Sequence, residues 1–174
     1  MSKSESHPSA ALPIIDALHR AVDQATQPLQ TEHAHRLSCR EGCADCCTDG
    51  LTVFEVEAQV IRHHYPELLR EGRAHPEGRC AFLNPKGACR VYAHRPYVCR
   101  TQGLPLRWLD FDEEDELVEY RDICELNDEA MPLEELEPES CWTLGAVEEK
   151  LRTAQTTESP GDLRRVSLRA LFDR

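Results

Sequence analysis

Apolar residues recur at helical spacing near the start of the chain. Leu12, Ile15, Leu18, Val22 and Ala25 fall three or four positions apart, which predicts a helix over 12–29 with Pro13 in its first turn. The polar residues 1–10 predict a disordered N-terminus. Further on, Thr52 and Glu55 stand in capping-box relation and predict a second helix with Val56, Val60 and Ile61 on one face, ending near Tyr65-Pro66. Between these helices periodicity disappears: residues 36–50 are punctuated by Gly42 and Gly50 and read as a loop. Residues 72–100 are also aperiodic, with short extended pieces at 80–83 and 90–92. Pro96 opens a one- or two-turn helix through Cys99. Residues 104–109 fit a strand or an irregular apolar anchor. Helical spacing returns over 142–153 and 163–172, divided by Pro160-Gly161, with Asp162 as N-cap of the last helix.

The aperiodic segments carry most of the nine cysteines: Cys39, Cys43, Cys46, Cys47, Cys80, Cys89, Cys99, Cys124 and Cys141. The first four lie within nine residues, and a two-residue gap lets both thiolates turn toward one ion. Cys46 and Cys47 are a separate problem, because their Cα atoms are about 3.8 Å apart and adjacent side chains diverge. Either they serve two metals, or one ligates and the other lies behind it. Eight thiolates suffice for two tetrathiolate zinc sites or two cubane clusters, leaving a ninth, Cys141 beside Trp142, as a buried structural residue. His94 is a candidate fourth ligand of a Cys₃His site or a loop hydrogen-bonder. Arginine follows Cys39, Cys89 and Cys99 directly. Four thiolates leave a buried negative charge, so Arg40, Arg90 or Arg100 is a candidate donor to a sulfur or its backbone, against the alternative of a plain surface arginine.

Composition turns these thiols toward metal rather than disulfides. The polar N-terminus lacks a signal peptide's apolar core and no stretch approaches membrane-spanning length, so a reducing cytoplasm is expected. Aromatic residues are only 6% of 174, a thin supply of large core side chains that a metal staple would supplement. The net charge is −12, concentrated between 110 and 149, where seventeen acidic residues face one arginine. That balance argues against a nucleic-acid partner, reads as a solvated face, and leaves an acidic surface for a protein partner. Chance adjacency accounts for pairs such as Glu113-Glu114 and Glu134-Glu135.

The run Cys39-x-x-x-Cys43-x-x-Cys46-Cys47, the Cys80-Ala-Phe-Leu block and Cys89-Arg-Val-Tyr-Ala-His-Arg-Pro-Tyr-Val-Cys99-Arg together resemble the zinc- or iron-chelating domain family, the YkgJ-like cysteine cluster proteins of CxxCxxCC type. The resemblance covers about 39–100 and extends to Cys124, with Ala81 where the family usually has proline. It implies that Cys39, Cys43, Cys46, Cys47, Cys80, Cys89, Cys99 and Cys124 are metal ligands. A similar cluster accompanies flagellin lysine methylases.

The expected fold is therefore mainly α with irregular metal-binding loops: a small single domain over 11–174, with a metal-binding core at 36–126, an acidic segment at 110–140 and C-terminal helices at 142–173. The expected function is metal binding without an identified substrate, through an iron–sulfur cluster in preference to Zn²⁺. The alternative is an electron-transfer or accessory module of a redox or methyl-transfer enzyme. Catalysis is not expected. Cys39-x-x-x-Cys43-x-x-Cys46 matches radical S-adenosylmethionine spacing, but the barrel those enzymes use is larger than this chain. P-loop, dinucleotide and nucleophile-elbow motifs are missing.

Overall fold

The computed structural model describes residues 9–40, 42–127 and 131–173, so most of the expected disordered stretch 1–10 lies outside the described residues. Helix α1 spans Leu12–Glu32, with Pro in its first turn. Its buried stripe is Leu12, Ile15, His19, Val22, Thr26 and Leu29. Ala25 is exposed and Leu18 only half-buried, because two polar side chains hold the inner face instead. His19 is tolerated there because the Glu57 carboxylate lies 3.1 Å from its Nε2.

The segment expected to cap the second helix is a strand. Residues Thr52–Phe54 form β1, paired antiparallel with β5 (Arg165–Ser167), and Val53 opposes Val166. The Thr52 hydroxyl accepts a hydrogen bond from Arg165 Nε at 3.0 Å, so it caps nothing. Helix α2 then runs Glu55–His64, N-capped by Phe54 without a side-chain bond. It is buried on two sides. Val56 and Val60 pack with Ile15, Val22, Tyr97 and Leu151. Ala58 and Ile61 pack with Val53, Phe82, Val91, Leu168 and Leu171. Two small apolar clusters thus share α2 as their common wall. Helix α3 (Pro66–Glu71) follows, and helix α4 is Tyr97–Thr101.

The acidic segment contains a hairpin that composition concealed. Strands β2 (Leu106–Phe111) and β3 (Leu117–Asp122) pair antiparallel, with Trp108 stacked on Tyr120 at 5.7 Å between ring centroids. Asp112 makes the turn, its carboxylate accepting the Glu114 and Glu116 backbone N–H groups at 3.0 and 2.9 Å. The carboxylates therefore gather at a solvated tip while Arg107 and Arg121 flank Glu119 lower in the hairpin. Strand β4 (Trp142–Thr143) adds parallel to β2. Helix α5 spans Ala146–Glu158, and a 3₁₀ turn at Arg169–Phe172 ends the described chain.

These findings overturn the mainly α expectation. The fold is mixed, 42% helical and 15% strand, with two sheets. The expected helix over 163–172 is replaced by β5 and the 3₁₀ turn. Helical packing would have needed Leu163 inside, yet it is 50% exposed. Asp162 closes a turn onto the Arg164 N–H at 2.8 Å rather than capping a helix. Pairing with β1 buries Val53 almost completely, a gain that local spacing cannot register.

Candidate metal centre

Consecutive tight turns form the first cysteine loop. The Cys43 N–H donates to Arg40 O, Cys47 N–H to Ala44 O and Thr48 N–H to Cys46 O, at 2.9 to 3.0 Å. Gly42 adopts φ +84°, and its carbonyl lies so near Gly87 that a Cβ there would approach it to 3.3 Å. The loop is thereby pressed onto the 84–88 turn. Asn84 builds that turn, its side-chain oxygen accepting Lys86 N–H at 2.8 Å and Ala88 N–H at 3.0 Å. A bridge between Leu83 and Cys89 closes it and draws Cys80 and Cys89 together. Cys80 N–H donates to Cys47 O at 2.9 Å, docking the second cysteine block on the first. Cys99 comes from α4, whose entry is set by Arg95, donating from Nε to Cys99 O at 3.3 Å.

The sulfurs fall into two neighbourhoods. Cys47 feels Cys46, Cys80 and Cys99, while Cys89 feels Cys80, and Cys99 feels Cys80, Cys89 and Cys46. Cys39 instead feels Cys43, Cys124 and Cys46. Cys46 acts on both sets, on Cys47 and Cys99 and also on Cys39. Exposure also differs: Cys39 and Cys46 are exposed, Cys43 and Cys124 are half-buried, and Cys47, Cys80, Cys89 and Cys99 are all half-buried. A cavity of about 480 Å³ opens beside Cys43, edged by Arg40, Asp45 and Arg79. No three cysteine sulfurs among the described residues lie mutually within 4.8 Å.

Burial and hydrogen bonding act on these thiols in opposite directions. Burial raises Cys80 and Cys89 above the ordinary thiol range and pushes Cys99 up to about 12. Backbone N–H groups of Phe82 and Val91, each two residues past a cysteine, oppose this by favouring the Cys80 and Cys89 thiolates. Contact with Cys47 draws Cys46 down to about 6, and the same contact, then burial, drives Cys47 up. Cys39 is exposed as a residue, but partial burial of its sulfur raises it, while a hydrogen bond with Asn127 favours its thiolate. Soft donors with directed N–H groups suit zinc or iron, so the donor set fits either.

Several positioning residues have no signal in the cysteine pattern. Asn127 is buried, accepting Ser38 N–H at 2.8 Å and donating to Gly103 O at 2.5 Å, so it ties the start of the loop to the end of α4. Gly103 has φ +95°, and a Cβ there would sit 2.5 Å from Cys39 Sγ. Arg169 donates to Asp49 at 2.7 Å and to the carbonyls of His75, Pro76 and Arg79, gathering the loops around Cys80. An Asx residue three positions past Cys124 was the only legible hint among these.

Of the arginines following cysteines, Arg40 is exposed, in line with the surface alternative, while Arg90 and Arg100 bind other groups. Arg90 donates to the carbonyls of Arg73, Ala81 and Phe82, and Arg40 has no recorded partner among the described residues. Arg100 is buried at 4% exposure and pairs with Asp23, also donating to Ala93 O. Among the described residues none of the three donates to a sulfur or to a cysteine carbonyl; Arg95 does the latter. His94 faces Tyr65 and His64 rather than the cysteines. Cys141 is buried at 5% exposure among Arg121, Arg107, Glu119 and Glu32, apart from the other eight.

The Asp23–Arg100 pair supports α4 and so the Cys99 position. Asp23→Ala leaves the Arg100 guanidinium buried without its carboxylate. The expected loss is about 2–3 kcal/mol, below a fully buried pair because Asp23 is partly solvated. Urea unfolding checks it, with Asp23→Asn as the milder comparison.

Residues 38–125 match the family model described as "CxxCxxCC: Putative zinc- or iron-chelating domain". No curated protein and no solved structure matches the chain.

Proposed function

The chain belongs to the CxxCxxCC family of zinc- or iron-chelating domains, and on that premise we propose that its cysteines hold two separate metal centres. The inner centre takes Cys47, Cys80, Cys89 and Cys99; the outer takes Cys39, Cys43, Cys46 and Cys124. The observation carrying this reading is the adjacency of Cys46 and Cys47, with Cys80 and Cys99 acting on Cys47 while Cys43 and Cys124 act on Cys39. Two adjacent thiolates crowd a single ion but serve two neighbouring centres readily.

The centres are iron–sulfur clusters. Dense cysteine with little histidine is a donor set that favours an iron–sulfur core over zinc. When bound, such a core supplies one-electron exchange. The chain's residues supply the rest: N–H donors to sulfur, shielding of the inner set, and access to the outer. Thiolate centres persist in a reducing compartment, and we place the protein in the cytoplasm on that chemistry. Among the described residues no helix is long and apolar enough to cross a membrane.

The exposed sulfurs Cys39 and Cys46 favour an exchange role over a purely structural one. The outer centre meets a partner, as an electron-transfer or accessory module of a redox or methyl-transfer enzyme does. The acidic hairpin tip is the partner-facing surface in this reading, offering carboxylates to a basic protein.

Anaerobic purification with iron, zinc and acid-labile sulfide analysis tests the proposal. A brown protein with iron and sulfide sufficient for two clusters is expected. Colourless protein with two zinc ions overturns the choice of iron–sulfur but keeps two centres. One metal centre per chain, or four of the eight cysteines open to alkylation in the loaded protein, overturns the pair.

A further inference from the structure

Away from the cysteines, three ligand-bearing side chains converge from three elements. Asp16 comes from α1, His64 from the last position of α2, and His94 from the 3₁₀ turn Tyr92–His94. One ligand atom of each lies within 4.8 Å of the others. Asp16 Oδ2 and His64 Nε2 are 3.4 Å apart, close to the separation of two ligands on one ion. We propose that Asp16, His64 and His94 form a third metal site, which takes one divalent transition ion such as Zn²⁺, Co²⁺ or Ni²⁺.

The hydrogen bonding at His94 argues for this. Tyr65 OH lies 3.0 Å from His94 Nδ1. With Nδ1–H donated to the phenol oxygen, the Nε2 lone pair is left free to ligate, the arrangement that orients histidines at metal sites. Two imidazoles and a carboxylate are borderline ligands, suited to zinc, cobalt or nickel and poorly matched to magnesium or calcium. The charge also fits: one carboxylate and two neutral rings leave the ion partly neutralised, with its remaining positions open to water.

The two rings are stacked, 3.6 Å between centroids and 13° from parallel. An ion must lie near both ring planes, so one ring has to turn out of the stack. His64, exposed at a helix end, is the ring that must turn, pivoting about its contact with Asp16, while His94 stays held by Tyr65. The competing account is a hydrogen-bonded junction of α1, α2 and the turn, which needs no ion.

Cobalt binding distinguishes the two. The full-length protein, with its cysteine centres loaded and loosely held ions removed by a mild chelator, is titrated with Co²⁺ and read by visible absorption and calorimetry. The expected result is one equivalent showing weak d–d bands without a sulfur-to-cobalt charge-transfer band. His64→Ala and Asp16→Asn each weaken it at least ~10-fold, and Tyr65→Phe weakens it ~10-fold through loss of ring orientation. Unchanged circular dichroism in His64→Ala excludes unfolding as the cause. The proposal is overturned if wild type takes up no equivalent at ~0.1 mM Co²⁺. It is equally overturned if His64→Ala binds as wild type does, or if the charge-transfer band appears. The site does not depend on which metal the cysteines hold, so its failure and that of the thiolate reading are separable.

Discussion

Cys89→Ser is expected to abolish the cooperative thermal transition of this protein and to release the metal of the inner set. Cys80 and Cys89 pack against the cluster of Val53, Phe82, Val91 and Leu168. The chain around them, from Gly72 to Pro96, contains only one short 3₁₀ turn as regular structure. Its backbone order rests on turns, on arginine-to-carbonyl bonds, and in our reading on the shared metal. Thiolate coordination contributes on the order of 10 kcal/mol or more of apparent binding energy. The whole stability of a domain is roughly 5–15 kcal/mol. Losing the inner centre therefore removes most or all of that margin. Cys124→Ser gives the contrasting result: its proposed partners Cys39 and Cys46 are exposed, so one centre is lost while most of the fold stays. Thermal melts with metal analysis on both variants make the comparison. Cys89→Ser protein that melts at the wild-type temperature with its full metal complement would contradict an inner staple.

The sequence pattern exposed contacts that are local and concealed those that are not. Helices α1 and α2 were legible because Ile15 and Val22, or Val56 and Val60, repeat at a helix's own period. The cysteine blocks were legible because their spacing is itself the chemical signal. Strand β1 was hidden: Thr52 and Glu55 satisfy a local capping rule, but Arg165 arrives from 113 positions away and takes the Thr52 hydroxyl. Of the β2–β3 hairpin only the first strand was legible, as the strand reading of 104–109, while acidic composition dominated β3, whose alternation is weak. Asp112 nevertheless folds its own turn, and Trp108 finds Tyr120. The site shows the same division. The cysteine blocks that carry the family match were readable, whereas Asn127, Arg95 and Arg169 act through carbonyls and amides whose positions exist only after folding.

If Cys39 belongs to the outer centre as proposed, Gly103→Ala should selectively empty that centre. The glycine holds φ +95°, a conformation side chains resist, and a methyl there would lie 2.5 Å from Cys39 Sγ. That separation is far inside van der Waals contact, so either the sulfur or the backbone must move. The backbone is constrained, since Gly103 O accepts from buried Asn127, which also holds Ser38 N–H. The sulfur is the easier to displace because Cys39 is exposed. Displacement turns Cys39 away from Cys43 and Cys124, leaving three thiolates where four are needed. Backbone strain adds about 1 kcal/mol or more of destabilisation. The expected protein is folded, carries the inner centre alone, and has roughly half the wild-type metal. Cys39→Ser should give the same metal loss without the strain. Metal analysis beside urea unfolding separates the two effects. Full metal content in Gly103→Ala would mean that Cys39 is no ligand of the outer centre.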